Sequence, residues 1–239
     1  MDSVYTLLAH RALALQQAAE EASHDSDSNR PWRAVIALAG PPGSGKTRIA
    51  QEVARRLNAG RETPAAAVVP MDGFHYTRAT LGTFPNPAEA HARRGAAWTF
   101  DAIGVVALFT ELEASRRAKR TAASTIYVPS FDHATKDPVS RDIAIPPTVS
   151  LVILEGNWLL YDEEPWRRIS QLVDESWFVD VDAEVAKYRV AQRHVQSGIE
   201  STMEDALARA ESNDVPNGDE VRRKLITPTI TVQSVDKGV

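Results

Sequence analysis

Gly40-Pro41-Pro42-Gly43-Ser44-Gly45-Lys46-Thr47 is the stretch on which the fold of this chain turns. It fits the pattern G-x-x-x-x-G-K-[ST], and its flanks supply the context that makes the pattern informative. Before it, Arg33 to Ala39 is an aliphatic run without alternation, as expected of a central parallel strand buried on both faces. After it, Ile49, Val53 and Leu57 recur at helical spacing, and Asn58 and Gly60 act as stop signals. Strand, glycine loop and helix in that order make a phosphate cradle. Gly40, Gly43 and Gly45 let the backbone N–H groups of the loop, Ser44 included, curl around phosphate oxygens, and the helix N-terminus adds positive potential. Lys46 then reaches the β- and γ-phosphates, and the Thr47 hydroxyl is placed to ligate Mg²⁺.

Working outward, a second strand is expected over Ala65 to Val69, ending at Pro70-Met71-Asp72-Gly73. A long loop follows from Phe74 to Trp98, of the length usually given to lids and binding loops. Next come a helix from about Phe100 to Arg117, an extended segment Ser124 to Val128, and strands at Val149 to Leu154 and Ser176 to Val181. Asp182 reads as the N-cap of a helix ending near Gly198. Ser201-Thr202-Met203-Glu204 has capping-box spacing and opens a helix to about Ser212; Thr229 to Val235 is the last strand. Upstream, residues 3–22 read as an amphipathic helix that the polar run Ser23 to Asn29 breaks. Strands alternating with helices predict an α/β fold: the three-layer P-loop NTPase arrangement, a parallel sheet with helices on both faces.

The 239 residues, 43% hydrophobic and 25% charged, suffice for one large core. No apolar run approaches the roughly 20 residues a bilayer span needs, so a soluble protein with no membrane partner is expected. Met1-Asp2-Ser3 lacks a basic leader region, and a cytoplasmic location is the default expectation. With no cysteine, disulfide scaffolds, thiolate metal sites and cysteine nucleophiles are excluded. A net charge of −5 argues against a nucleic-acid partner. The densest basic run, Arg116 to Arg120, reads as a solvated helix end that suits the helix dipole.

A phosphate loop defines a nucleotide-binding fold and not a reaction. In a parallel sheet every strand points its C-terminal end toward the loop, so Asp72 and Glu155, each at a strand end, are delivered to one crevice. Asp72 is assigned as the base for an acceptor hydroxyl and Glu155 as the acid on the metal side. A turn or cap role fits each carboxylate as an alternative.

These segments also carry a family resemblance. The phosphate loop, Met71-Asp72-Gly73-Phe74-His75, Arg94-Gly95-Ala96 with Thr99-Phe100-Asp101, and Leu154-Glu155-Gly156-Asn157 together resemble the phosphoribulokinase, uridine kinase and bacterial-type pantothenate kinase group, nearest to its fungal and bacterial members. The likeness covers roughly residues 33–217. It implies an ATP- and Mg²⁺-dependent kinase acting on the hydroxyl of a small molecule: a nucleoside, a pantothenate-like acid, a sugar or a related metabolite. The implied organisation is an N-terminal helical extension (1–30) and a P-loop kinase domain (31–239) with a small helical lid at about 183–217. The acceptor then sits among His75, Tyr76, Arg93, Arg94, Asp132, His133 and Lys136. Arg189 and Arg193, four apart on one helix face, resemble the lid arginines that close over the transferred phosphoryl group. The segment Arg209 to Asn217 matches a family segment whose Asn and Asp serve the nucleotide base, although a helix-ending turn explains it as well. Relatives of the group often form dimers, so a homodimer is admitted.

The alternative reading is a nucleotide-dependent switch or regulatory ATPase acting on a protein partner. Asn-Lys-x-Asp and Leu-Ser-Gly-Gly signatures are absent from the sequence, and Asp101 to Gly104, a D-x-x-G match, falls at a helix start instead of after a strand.

Overall fold

The computed structural model of the chain describes residues 1–24 and 31–234. Residues 25–29 of the predicted polar break, and Val235 at the predicted end of the last strand, lie outside the described residues. Five parallel strands form the sheet: β1 (Ala34–Ala39), β2 (Ala66–Pro70), β5 (Leu151–Gly156), β6 (Glu175–Asp180) and β7 (Ile230–Gln233). Their spatial order is β2-β5-β1-β6-β7, which leaves β1 in the middle with the glycine loop at its end.

Period-two geometry sends alternate side chains of β1 to opposite faces, and both faces are buried. Ala34, Ile36 and Leu38 pack with Ile49, Val53 and Leu57 of α2 (Lys46–Asn58) and with Leu8 and Ala12 of α1 (Asp2–His24). Val35, Ala37 and Ala39 face Val105, Leu108, Phe109 and Leu112 of α5 (Ala102–Arg117). The result is three layers, as the alternation of elements predicts.

Three local readings are corrected. The long loop after β2 carries short helical elements that the sequence reading did not place: a 3-10 turn at Met71–Phe74 and two short helices, α3 (Arg78–Leu81) and α4 (Pro87–Ala92), capped by Thr77 and Asn86. The extended segment after α5 is one arm of an antiparallel hairpin outside the main sheet, β3 (Ile126–Asp132) with β4 (Asp137–Ile145). Arg116 is not solvated; it is 4% exposed and pairs with Glu113 and with Asp174, whose carboxylate also accepts the Val35 N–H (2.7 Å). Among the described residues, no helix is long and apolar enough to cross a membrane.

The C-terminal helices run as α6 (Ala183–Gln196), α7 (Met203–Arg209), a π turn at Ala210–Asp214 and α8 (Val215–Arg223). Asp182 and Thr202 cap α6 and α7 through their side chains. The turn expected near Ser212 is instead a widened helical turn that continues into α8. Pro216 has no N–H to give, which is harmless in the first turn of a helix, and the π turn absorbs the mismatch with α7.

Candidate active site

Three strand ends converge. In the sheet register Leu38 and Pro70 both lie level with Glu155, so the phosphate loop, the turn carrying Asp72 and the end of β5 meet at one edge. Gly73 lets the Asp72 turn pack directly on the hairpin: a Cβ there would stand 2.2 Å from the Pro129 carbonyl oxygen. Glu155 is 4% exposed, and the Thr47 hydroxyl donates to its Oε1 at 2.9 Å. Burial raises the Glu155 carboxyl, with Asp72 adding to the rise and Lys46 opposing it. Burial likewise lowers the Lys46 ammonium against the pull of Glu155 and Asp72. A poorly solvated cation and acid, Lys46 and Glu155, therefore share one locus with the exposed Asp72 beside them.

This locus opens into a cavity of about 560 Å³. Lys46, Thr47, Asp72, Glu155 and Arg193 line it, as do His75, Arg94, His133 and Lys136 of the acceptor residues predicted from sequence. Gly40, Gly43, Ser44 and Gly45 form the loop beneath, with Gly43 at φ +77 and Gly45 at φ +83. The buried Ser44 Oγ has no hydrogen-bond partner among the described residues. His75 Nδ1 faces the Asp72 carbonyl oxygen at 2.8 Å, which makes Nδ1 the protonated nitrogen of a neutral ring. Burial holds His75 below its ordinary range, and its ring packs on Phe100 and Phe131.

Besides the four loop residues beneath it, four predicted residues stand off the cavity lining. Arg189 donates to the Gly43 carbonyl (3.2 Å) and to Ser234 Oγ (2.9 Å), bracing α6 on the phosphate loop. Arg93 donates to the Ser212 carbonyl (2.9 Å) and Asn217 Oδ1 (3.1 Å), tying the acceptor loop to the C-terminal helices. Asp132 caps the hairpin turn through the Ala134 N–H and the Thr135 hydroxyl. Tyr76 packs edge-on against Phe84, and its carbonyl receives Arg94.

Other lining residues were missed. Arg78 and His91 come from the loop helices, and His91 in an alanine-rich polar stretch gives no signal of its own. Asn157 was only part of a quoted motif, yet its Oδ1 is buried without a partner among the described residues. From the C-terminal helices, His194, Arg209, Asn213 and Asp214 close the far wall. The His194 ring, 6% exposed, is pushed down to about 4 by burial and by Arg193, whereas burial raises Asp214. Only the Arg209 to Asn217 segment carried a usable signal, its likeness to a family segment.

A parallel sheet with a phosphate loop at its central strand, a hydroxyl–carboxylate pair at the loop's lysine and an exposed aspartate beside that pair define a P-loop phosphotransferase. Comparison with known proteins makes this specific: the model of the phosphoribulokinase / uridine kinase family matches residues 35–213, and the chain belongs to that family of kinases. A Schizosaccharomyces pombe protein named as a putative uridine kinase is 39% identical over 231 residues, 93% of this chain and 96% of its own length. The ATP-dependent kinase YFH7 of Saccharomyces cerevisiae is 34% identical over 187 residues, 67% of this chain and 53% of that protein. The solved structure of YFH7 shares the fold with a TM-score of 0.81 at 24% identity, covering 95% of this chain and 99% of that one. A structure titled as a putative fructose transport system kinase, from Silicibacter sp. TM1040, matches at 29% identity and a TM-score of 0.72, covering 91% and 98%.

Proposed function

We propose that the chain transfers the γ-phosphoryl group of Mg-ATP to a hydroxyl of a small metabolite, of the nucleoside, pantothenate-like, sugar or related kind. The observation that carries this reading is the Thr47–Glu155 hydrogen bond, set beside Lys46 at the mouth of a cavity that Asp72 shares. Relatives named as uridine kinase and as ATP-dependent kinase support the donor and the reaction class.

The Thr47 hydroxyl and the Glu155 carboxylate are hard oxygen donors of the kind Mg²⁺ takes in small number, with phosphates and water completing the shell. They fit the ion, which when bound neutralises charge on the β- and γ-phosphates. The loop N–H groups and the start of α2 hold the phosphate chain, and Lys46 sits against it. Asp72, exposed on its 3-10 turn, accepts the hydroxyl proton as the acceptor oxygen bonds to the γ-phosphorus and the bond to the β-phosphate bridging oxygen breaks, releasing ADP. Arg193 offsets the charge on the group in flight, and Arg189 acts one step back by fixing the loop to α6. The polar wall of His194, Asn213 and Asp214 faces the same space and orients whatever occupies it.

The test is a screen of candidate acceptors for ADP release with Mg-ATP, with mass measurement of the product, followed by Asp72→Asn. Turnover should fall about 10²- to 10⁴-fold, the usual contribution of a positioned base, with nucleotide affinity nearly intact. Full turnover in Asp72→Asn removes the base assignment. Consumption of ATP that no metabolite alters but a protein stimulates would favour the switch reading.

A further inference from the structure

Six cationic side chains line the cavity against three carboxylates, and they differ in what already neutralises them. Arg94 is paired with Asp137 at 3.0 Å and Arg209 with Glu200 at 3.3 Å. Lys46 and Arg193 lie in the field of Glu155 and Asp214, and the triphosphate of the proposed donor supplies the rest of their counter-charge. Two cations are left over. Among the described residues, neither the Arg78 guanidinium nor the Lys136 ammonium has a hydrogen bond or an ion pair.

These two are held on one bracket. The Asp137 carboxylate accepts the Arg78 backbone N–H (2.8 Å) and Arg94 Nη2 (3.0 Å). Arg94 also donates to the carbonyls of Lys136 and Tyr76. The acceptor loop and the hairpin turn are thereby locked together, and Arg78, Phe131, His133 and Lys136 all line the cavity. Lys136 has φ +59, a left-handed conformation in which glycine or asparagine would cost less. The turn thus keeps a lysine where local conformation alone favours another residue. Arg78 is exposed and Lys136 half-buried, so water answers both charges, and an oxyanion in the cavity would replace that water with charge-assisted hydrogen bonds.

We infer that the acceptor carries an oxyanion, either a carboxylate or a phosphate, apart from its reacting hydroxyl, and that Arg78 and Lys136 grip it. The orientation rests on the phosphotransfer reading, with the hydroxyl toward Asp72 and the oxyanion toward the bracket. A neutral nucleoside or free sugar leaves both cations to water.

The test is calorimetric titration of the full chain, saturated with Mg²⁺ and a non-hydrolysable ATP analogue. The probes are glycerate, pantothenate and ribose 5-phosphate, each beside its neutral counterpart glycerol, panthenol or ribose. At least one oxyanion should bind saturably and about tenfold or more tighter than its neutral partner, and which one binds separates carboxylate from phosphate. Arg78→Gln/Lys136→Asn should weaken that binding about ten- to a hundredfold, and Lys136→Arg should retain most of it. Asparagine keeps the left-handed turn, so the effect reads charge and not folding. Equal binding of neutral partners, no saturable oxyanion binding, or undiminished binding in the double variant overturns the inference. ADP release with the same compounds separates the two claims. Turnover that depends on Asp72 yet accepts neutral compounds equally sinks the oxyanion alone; oxyanion binding that depends on the bracket, with turnover indifferent to Asp72→Asn, sinks the phosphotransfer assignment alone.

Discussion

Replacing Gly43 by alanine tests whether the phosphate loop is held in place by α6. Gly43 has φ +77, and an added Cβ would stand 2.5 Å from the Ala186 carbonyl oxygen, a backbone atom of α6 that cannot swing away. Gly60 is a matched control: its φ is +76, with nothing within 4 Å of an added Cβ. A left-handed alanine costs about 1–2 kcal/mol, partly offset by the stiffer unfolded chain, so Gly60→Ala should lose about 1 kcal/mol. For a chain of this size that lowers Tm by about 2–4 °C. Gly43→Ala carries the same backbone term plus about 1–3 kcal/mol of overpacking. The sum, roughly 2–4 kcal/mol, corresponds to a Tm loss of roughly 5–15 °C. Relief by moving the loop off α6 also strains the Arg189 bond to the Gly43 carbonyl (3.2 Å) and displaces the N–H cradle. Nucleotide affinity should then fall about ten- to a hundredfold, because cradle geometry is the binding determinant. Circular-dichroism melts and calorimetric ATP titration measure both effects. Equal Tm losses in the two variants, or an undisturbed ATP affinity in Gly43→Ala, would refute the claim that α6 fixes the loop.

Glu155→Gln should cut turnover at least about a hundredfold through lost charge on the metal side, and its Tm should fall less steeply than the wild type's as pH rises past the ordinary Glu range. Burial holds the folded carboxyl above its unfolded value, so its ionisation costs stability as pH rises past the ordinary Glu range, and an amide removes that cost. His194 has the opposite linkage: its folded value of about 4 lies below the unfolded 6.5, so its contribution is full above 6.5 and is lost as pH falls toward 4. Melts from pH 7 to 4.5 should therefore show a shallower acid loss in His194→Gln than in the wild type. Arg189→Ala should weaken ATP binding about tenfold by freeing the loop from α6, and an unaltered affinity would reduce that contact to decoration.

Much of the fold was legible because it depends on local rules. The apolar run at β1, the spacing of Ile49, Val53 and Leu57, and the caps Asp182 and Thr202 each follow from neighbours a few residues away. The β4 arm of the hairpin escaped because Pro138, a bulged register and the left-handed Arg141 erase its alternation, features that an edge strand tolerates. The π turn escaped because Pro216 reads as an ending when it in fact begins α8.

At the site, the sequence by itself determined which residues build the phosphate cradle and that two carboxylates end strands pointing toward it, since strand direction and loop chemistry are written in contiguous residues. Only the tertiary structure decided which charges are answered. Arg94 meets Asp137 from 43 residues away and Arg116 meets Asp174 from 58, whereas the side chains of Arg78 and Lys136 line the cavity with no ion partner among the described residues. The physical reason is that a side chain's charge is neutralised by whatever folding brings within a few ångströms, and no pattern along the chain records that distance.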